Sequence, residues 1–173
     1  MRILKFAFAL LLSALVSCNN DPDKNVNTKR PGVNELAGLN RYFVQKDRER
    51  IQNYIERKNL KMKETATGLW YQVIKEGRGD FFKNNEKIIM EYQCSLLDGR
   101  KCYSSKDIGP REIILGKGEL EAGLNEGLRL LKPESEAIFI LPPYLAFGLI
   151  GDNRAIPPRA TIVYEIKILN EKK

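Results

Sequence analysis

The stretch DGRKCYSS, Asp98 to Ser105, decides how the middle of the chain is folded. Asp98 and Gly99 both tolerate the positive φ that a two-residue hairpin turn demands, so the dipeptide predicts a tight reversal. Upstream, IIMEYQCSLL from Ile88 to Leu97 reads as a strand, and downstream Arg100 to Ser105 returns along it. Cys102 and Tyr103, just past the turn, are an odd pair for a strand unless they line something.

Outward from this hairpin the hydrophobic period is two. A strand is expected at Leu69 to Lys75, closed by Gly77-Arg78-Gly79, and a short one at Glu112 to Leu115. Further strands are expected at Glu136 to Pro143 and at Thr161 to Leu169, where Ile162, Tyr164, Ile166 and Ile168 alternate with mostly polar neighbours. One segment differs: LEAGLNEGLRLLKP places Leu120, Leu124, Leu128 and Leu131 at helical spacing, and Pro133 ends it. A long loop, YLAFGLIGDNRAIPPRA, precedes the last strand, and loops of that length in compact domains are often functional. The order predicts an α+β fold, an antiparallel sheet wrapped around one short helix. This domain is read as residues 67–173.

The N-terminal part has three characters. Residues 1–17, MRILKFAFALLLSALVS, carry Arg2 and Lys5 before an apolar run too short for a permanent membrane helix, the pattern of a signal peptide. Residues 18–34 are polar, hold two prolines and show no hydrophobic period, as a tether does. In residues 35–66, Leu36, Leu39, Phe43, Ile51 and Tyr54 fall on one side of a helical wheel, interrupted by Asp47, Arg50 and Lys58. Such a helix before a domain can pair with its copy in a second chain, giving a homodimer, or lie against its own domain. The broken stripe makes a poor coiled-coil seam and favours the second use.

Removal of the signal peptide takes away two cations and no anion, so the side-chain charge falls from +7 to +5. The cations are interleaved with acids, there is no nucleic-acid motif, and a nucleic-acid partner is not expected. The chain has no histidine, which excludes Ser-His and Cys-His nucleophilic pairs and histidine-ligated metals. No metal or cofactor is expected. Of three cysteines, Cys94 and Cys102 fall on the paired strands, where a disulfide requires one particular register; two small free thiols are the favoured reading.

LVSC, Leu15 to Cys18, resembles the lipobox of bacterial lipoproteins, which implies cleavage before Cys18 and lipidation of it. Several acyl chains on one residue give stable anchoring, so the implied address is the cell envelope, on a membrane outside the cytosol. An outer-membrane anchor is expected, with its periplasmic or external face left open.

The blocks GLWYQVIKEGRGD, EYQCSLLDGRKCYSS, ILGKGELEAGLNEGLRLLKP, FILPPYLAFG and AIPPRATIVYEIKIL, in that order from Gly68 to Leu169, resemble the FK506-binding-protein (FKBP) family of peptidyl-prolyl cis-trans isomerases. The opening block behind a charged helix is most similar to the exported bacterial branch, which includes members that dimerise through N-terminal helices. Gliding-motility-associated isomerase lipoproteins share the layout of signal, lipidated cysteine, helix and domain.

The resemblance implies a catalyst of peptide-bond rotation, a step that breaks no bond but faces a barrier of roughly 18–20 kcal/mol. It therefore needs no nucleophile or cofactor, only an apolar pocket for proline that favours the twisted, less dipolar amide. By resemblance, Tyr92, Tyr103, Glu121, Phe147 and Tyr164 are the catalytic positions, and Cys102, Leu120, Leu124 and Ile156 bind substrate. The backbone N–H of Glu121 would hold a substrate carbonyl. The family commonly has an aromatic residue and an aspartate where Cys102 and Tyr103 stand, and a tyrosine hydroxyl where Phe147 stands. Tyr103 either lends its hydroxyl to the pocket or is an exposed strand tyrosine. Two functions follow: an isomerase assisting exported or envelope proteins through Xaa-Pro segments, or a catalytically weak binding module within an envelope assembly such as gliding-motility machinery.

Overall fold

The computed structural model describes residues 32–118 and 120–170; the signal peptide, Cys18 and most of the tether lie outside them. The chain begins with α1, Val33–Lys58, followed by β1 (Lys63–Glu64), β2 (Trp70–Lys75), β3 (Lys87–Leu96) and β4 (Lys101–Ser104). Then come α2 (Ser105–Ile108), β5 (Arg111–Ile114), α3 (Ala122–Leu128), β6 (Glu136–Leu141), a 3-10 turn at Pro143–Leu145, and β7 (Ile162–Leu169). All strand pairs are antiparallel, in the order β1-β2-β6-β7-β3-β4, with β5 continuing beside β4 along the same edge of β3.

The sheet is apolar on two faces. One face closes over α3: Leu124 and Leu128 meet Phe139, Leu141, Met90 and Tyr164 in the main core. Here α3 approaches closely because Gly127 has no side chain; a Cβ there would stand 2.6 Å from the Phe139 ring. The other face carries Ile140 and Val163, which alternate with the core residues of β6 and β7 and pack against Ile51 and Tyr54 of α1. Strands buried on both faces read as continuous apolar runs, as Ile138 to Leu141 and Ile162 to Tyr164 do.

The second half of α1 thus lies on its own domain, while Leu36 and Leu39 of the first half stay 52% and 47% exposed. Asp47, which interrupts the stripe, is buried and accepts a hydrogen bond from the Arg159 guanidinium at 3.1 Å. That guanidinium also lies 3.9 Å over the Phe43 ring. Burial pushes the Asp47 carboxyl above its ordinary range, with Arg159 and Arg50 opposing. No helix among the described residues is long and apolar enough to cross a membrane.

Several local expectations are corrected. The Asp98-Gly99 reversal is not a two-residue turn, because only Gly99 takes positive φ, at 90°. The Gly99 N–H donates to the Leu96 carbonyl at 3.0 Å and the Leu96 N–H to Arg100 at 2.9 Å, a three-residue loop with a glycine bulge. A further irregularity leaves Cys102 without a cross-strand partner, so Cys94 faces Tyr103; the two cysteines are free thiols, as favoured from the sequence. The helix expected from Leu120 to Pro133 spans only seven residues, since the chain tightens after Leu128 through i to i+3 bonds such as Leu131 N–H to Leu128 carbonyl. A second short helix, α2, was not expected; Ser104 caps it by accepting from the Lys106 N–H at 3.2 Å.

Candidate active site

Tyr92 on β3, Cys102 and Tyr103 on β4, Leu120 before α3, Leu124 on α3, Phe147 and Ile156 on the long loop, and Tyr164 on β7 converge on one end of the main core. Leu124, Ile156 and Tyr164 are at most 2% exposed and form the floor; the other five are half-buried walls. The convergence follows from the fold: Cys94 pairs with both Tyr103 and Tyr164, which brings three consecutive strands to the same level. The Tyr92 and Tyr164 rings lie 6.0 Å apart at 57°.

Polar groups in this site are distributed unevenly. The Tyr164 hydroxyl, inside the core, donates to Glu121 Oε1 at 2.8 Å. Burial, then the Glu121 charge, drive the Tyr164 phenol well above its usual range, so it stays protonated. The second oxygen, Glu121 Oε2, lies 3.5 Å from Arg111 Nη1. The Tyr103 hydroxyl donates to Asp152 Oδ2, so it is engaged within the protein rather than turned to the pocket. Asp152 Oδ1 accepts from the N–H groups of Arg154 at 2.9 Å and Ile156 at 2.8 Å. Partial burial raises the Asp152 carboxyl, but the Tyr103 hydroxyl and the Ile156 and Arg154 N–H groups outweigh it and hold the carboxyl below its ordinary range. Beside them the Cys102 thiol donates to the Ala155 carbonyl at 3.5 Å. Cys102 and Tyr103 therefore latch the long loop to the hairpin, which is the answer to why they stand on β4.

Beside the Arg111 guanidinium, two donors face a ligand. Among the described residues the Tyr92 hydroxyl has no partner, and the Glu121 N–H, at the start of α3 where helical acceptors are lacking, donates to none. Phe147 is in place but brings only its ring. The site is thus an apolar box with donors on its rim, suited to a proline ring and its flanking backbone.

Arg111 and Asp152 belong to this site but escape a motif-based reading. The alternation Arg111, Ile113, Leu115 was the available signal for the first, since it places a cation on the inward face of β5. For Asp152 there was only the turn composition of Gly151 to Arg154.

Residues 79–169 match the model of the FKBP-type peptidyl-prolyl cis-trans isomerases. The peptidyl-prolyl cis-trans isomerase Fkbp12 of Drosophila melanogaster is 34% identical over 102 residues, 57% of this chain and 94% of that protein. The FKBP-type isomerase FkpA of Escherichia coli (strain K12) is 30% identical over 127 residues, 73% of this chain and 46% of the relative. The crystal structure of FkpA from Escherichia coli superposes with a TM-score of 0.63 at 24% identity, covering 84% of this chain and 75% of that one, which supports the shared fold. The chain spans about half the length of the bacterial relatives it matches. It belongs to the FKBP-type peptidyl-prolyl cis-trans isomerase family.

Proposed function

We propose that this protein catalyses cis-trans isomerisation of Xaa-Pro bonds in polypeptides and does so from a lipid anchor in the cell envelope, on exported or envelope clients. The carrying observation for the catalytic part is the apolar box of Leu124, Ile156 and Tyr164 walled by Tyr92, Leu120 and Phe147, inside a family of isomerases. It takes proline out of water, where the twisted and less charge-separated amide is relatively favoured. The reading is tested by following cis-to-trans relaxation of short Leu-Pro peptides with the mature chain beginning at residue 18. Acceleration above the uncatalysed rate is expected; proline-peptide binding without acceleration would favour the weak binding module. That second reading is supported by Phe147, which has no hydroxyl, and by Tyr103, whose hydroxyl is already engaged.

The anchor rests on LVSC at Leu15 to Cys18. Labelling with radioactive palmitate that disappears in Cys18→Ser supports it, and unchanged membrane association of that variant refutes it. Pairing with a second copy is proposed for the first half of α1, where Leu36, Leu39, Tyr42 and Phe43 are each at least 40% exposed. Sedimentation equilibrium of the mature chain decides this: a single monomeric species refutes it.

A further inference from the structure

β5 runs antiparallel to β3, with Ile113 opposite Ile88 and Arg111 opposite Met90. Ile88, Met90 and Ile113 are core residues, so Arg111 occupies the next inward position of the same face, where the strand reaches the pocket. A cation at an inward strand position is costly unless it is paired, and Arg111 is only partly paired. Among the described residues it is paired with Glu121 Oε2, 3.5 Å away and at the limit of a hydrogen bond, and Glu121 is further occupied by the Tyr164 hydroxyl. A guanidinium carries five N–H donors in a rigid fork, so among the described residues most of the Arg111 donors are uncommitted. The Arg111 side chain is 31% exposed, enough to be reached from solvent, while Glu121 is 6% exposed behind it. Next to it, a cavity of about 350 Å³ lined by Arg111, Glu112, Ile113, Ile114, Lys117 and Leu120 shares Leu120 with the pocket wall, and Glu112 there is paired with Lys87 at 3.1 Å. It offers room for the residue next to a bound proline.

We propose that Arg111 is a substrate-binding residue of the isomerase site, donating to a backbone carbonyl that flanks the rotating bond. The inference rests on the proline-binding reading of the pocket. The acceptor is a flanking carbonyl because donation to the rotating amide's own oxygen favours the planar, charge-separated form and would slow rotation. Held at a flanking carbonyl, one side of the bond is fixed while the other turns, with contact in ground and transition states alike. Glu121 then serves to aim the guanidinium, and Tyr164 to aim Glu121.

The test compares the mature chain with Arg111→Met, Arg111→Lys and the double variant Arg111→Met, Glu121→Gln, using a tetrapeptide containing Leu-Pro. Loss of a charged donor should lower kcat/KM about tenfold, chiefly through KM, because the contact is present before rotation. Arg111→Lys should fall between. Read against Glu121→Gln alone, the double variant separates this from a structural role: if Arg111 only neutralises the buried carboxylate, its loss costs nothing further once that charge is gone. A further loss from Glu121→Gln to the double variant supports the proposal. Wild-type kcat/KM in Arg111→Met, or equal kcat/KM in Glu121→Gln and the double variant, overturns it. Should the unmodified chain fail to accelerate relaxation, the isomerase reading falls by itself. Arg111 is then judged by peptide affinity from amide chemical-shift titration, with about tenfold weakening in Arg111→Met supporting it and unchanged affinity refuting it.

Discussion

Replacing Tyr103 by Phe removes one hydroxyl and keeps the ring against the core. The lost bond runs to a carboxylate, and hydrogen bonds to charged groups contribute about 1.5–3 kcal/mol. Asp152 retains two backbone donors, Ile156 and Arg154, and some contact with water, so the lower end applies: about 1.5 kcal/mol, or about 5 °C in Tm for a domain of this size. The loss should depend on pH. The folded state holds the Asp152 carboxyl below its ordinary value, so its stabilisation is present above about pH 4 and fades as pH falls through the lowered folded value. Thermal melts followed by circular dichroism at pH 7 and pH 2.5 should show a full gap between wild type and Tyr103→Phe at neutrality and a reduced one in acid. Amide exchange of Arg154 and Ile156 should quicken in the variant at pH 7. A gap of equal size at both pH values, or none at pH 7, would refute the latch between β4 and the long loop.

Gly127→Ala sets two effects against each other: helix propensity favours alanine by about 1 kcal/mol, while overpacking a core costs about 1–3 kcal/mol. The added Cβ meets the buried Phe139 ring at 2.6 Å, so clash should win and the urea midpoint should drop; a rise would show that the ring gives way. Ile51→Ala should cost about 2–4 kcal/mol, because Ile51 is 1% exposed against Ile140 and Val163. In hydrogen exchange α1 should lose protection first in that variant, and unchanged protection would argue against its docking on the sheet. Of the two domain thiols, Cys102 should react with a disulfide reagent in the native protein well before Cys94. Cys94 is fully buried, and burial pushes its thiol up to about 12; equal rates would contradict this.

Period and punctuation made most of the sheet legible. The alternation from Ile162 to Ile168 announces β7, and the chain does reverse at Asp98-Gly99. Helical spacing at Leu124 and Leu128 correctly marks α3, though not its end, because hydrophobic spacing continues to Leu131 after the helical bonds have changed. The nine site positions came from five ordered blocks and not from polarity or spacing, and the structure brings them to one place. The last strand was read as alternating, so the burial of β6 and β7 on both faces, with Ile140 and Val163 under α1, emerged only in the structure.

Which side chains meet was decided only in three dimensions. Asp47 and Arg159 are 112 residues apart, Tyr103 and Asp152 are 49 apart, and Tyr164 and Glu121 are 43 apart. Local pattern assigns a residue to a face of its own element; partners across elements depend on register, and an unpaired residue at Cys102 resets the register of β4. That shift places Tyr103 opposite Cys94 and leaves its hydroxyl on Asp152. The sequence by itself determined the family and most of the sheet; packing of the sheet, α1 and the long loop against one another decided which apolar side chains form the box and which polar groups it has free for a ligand.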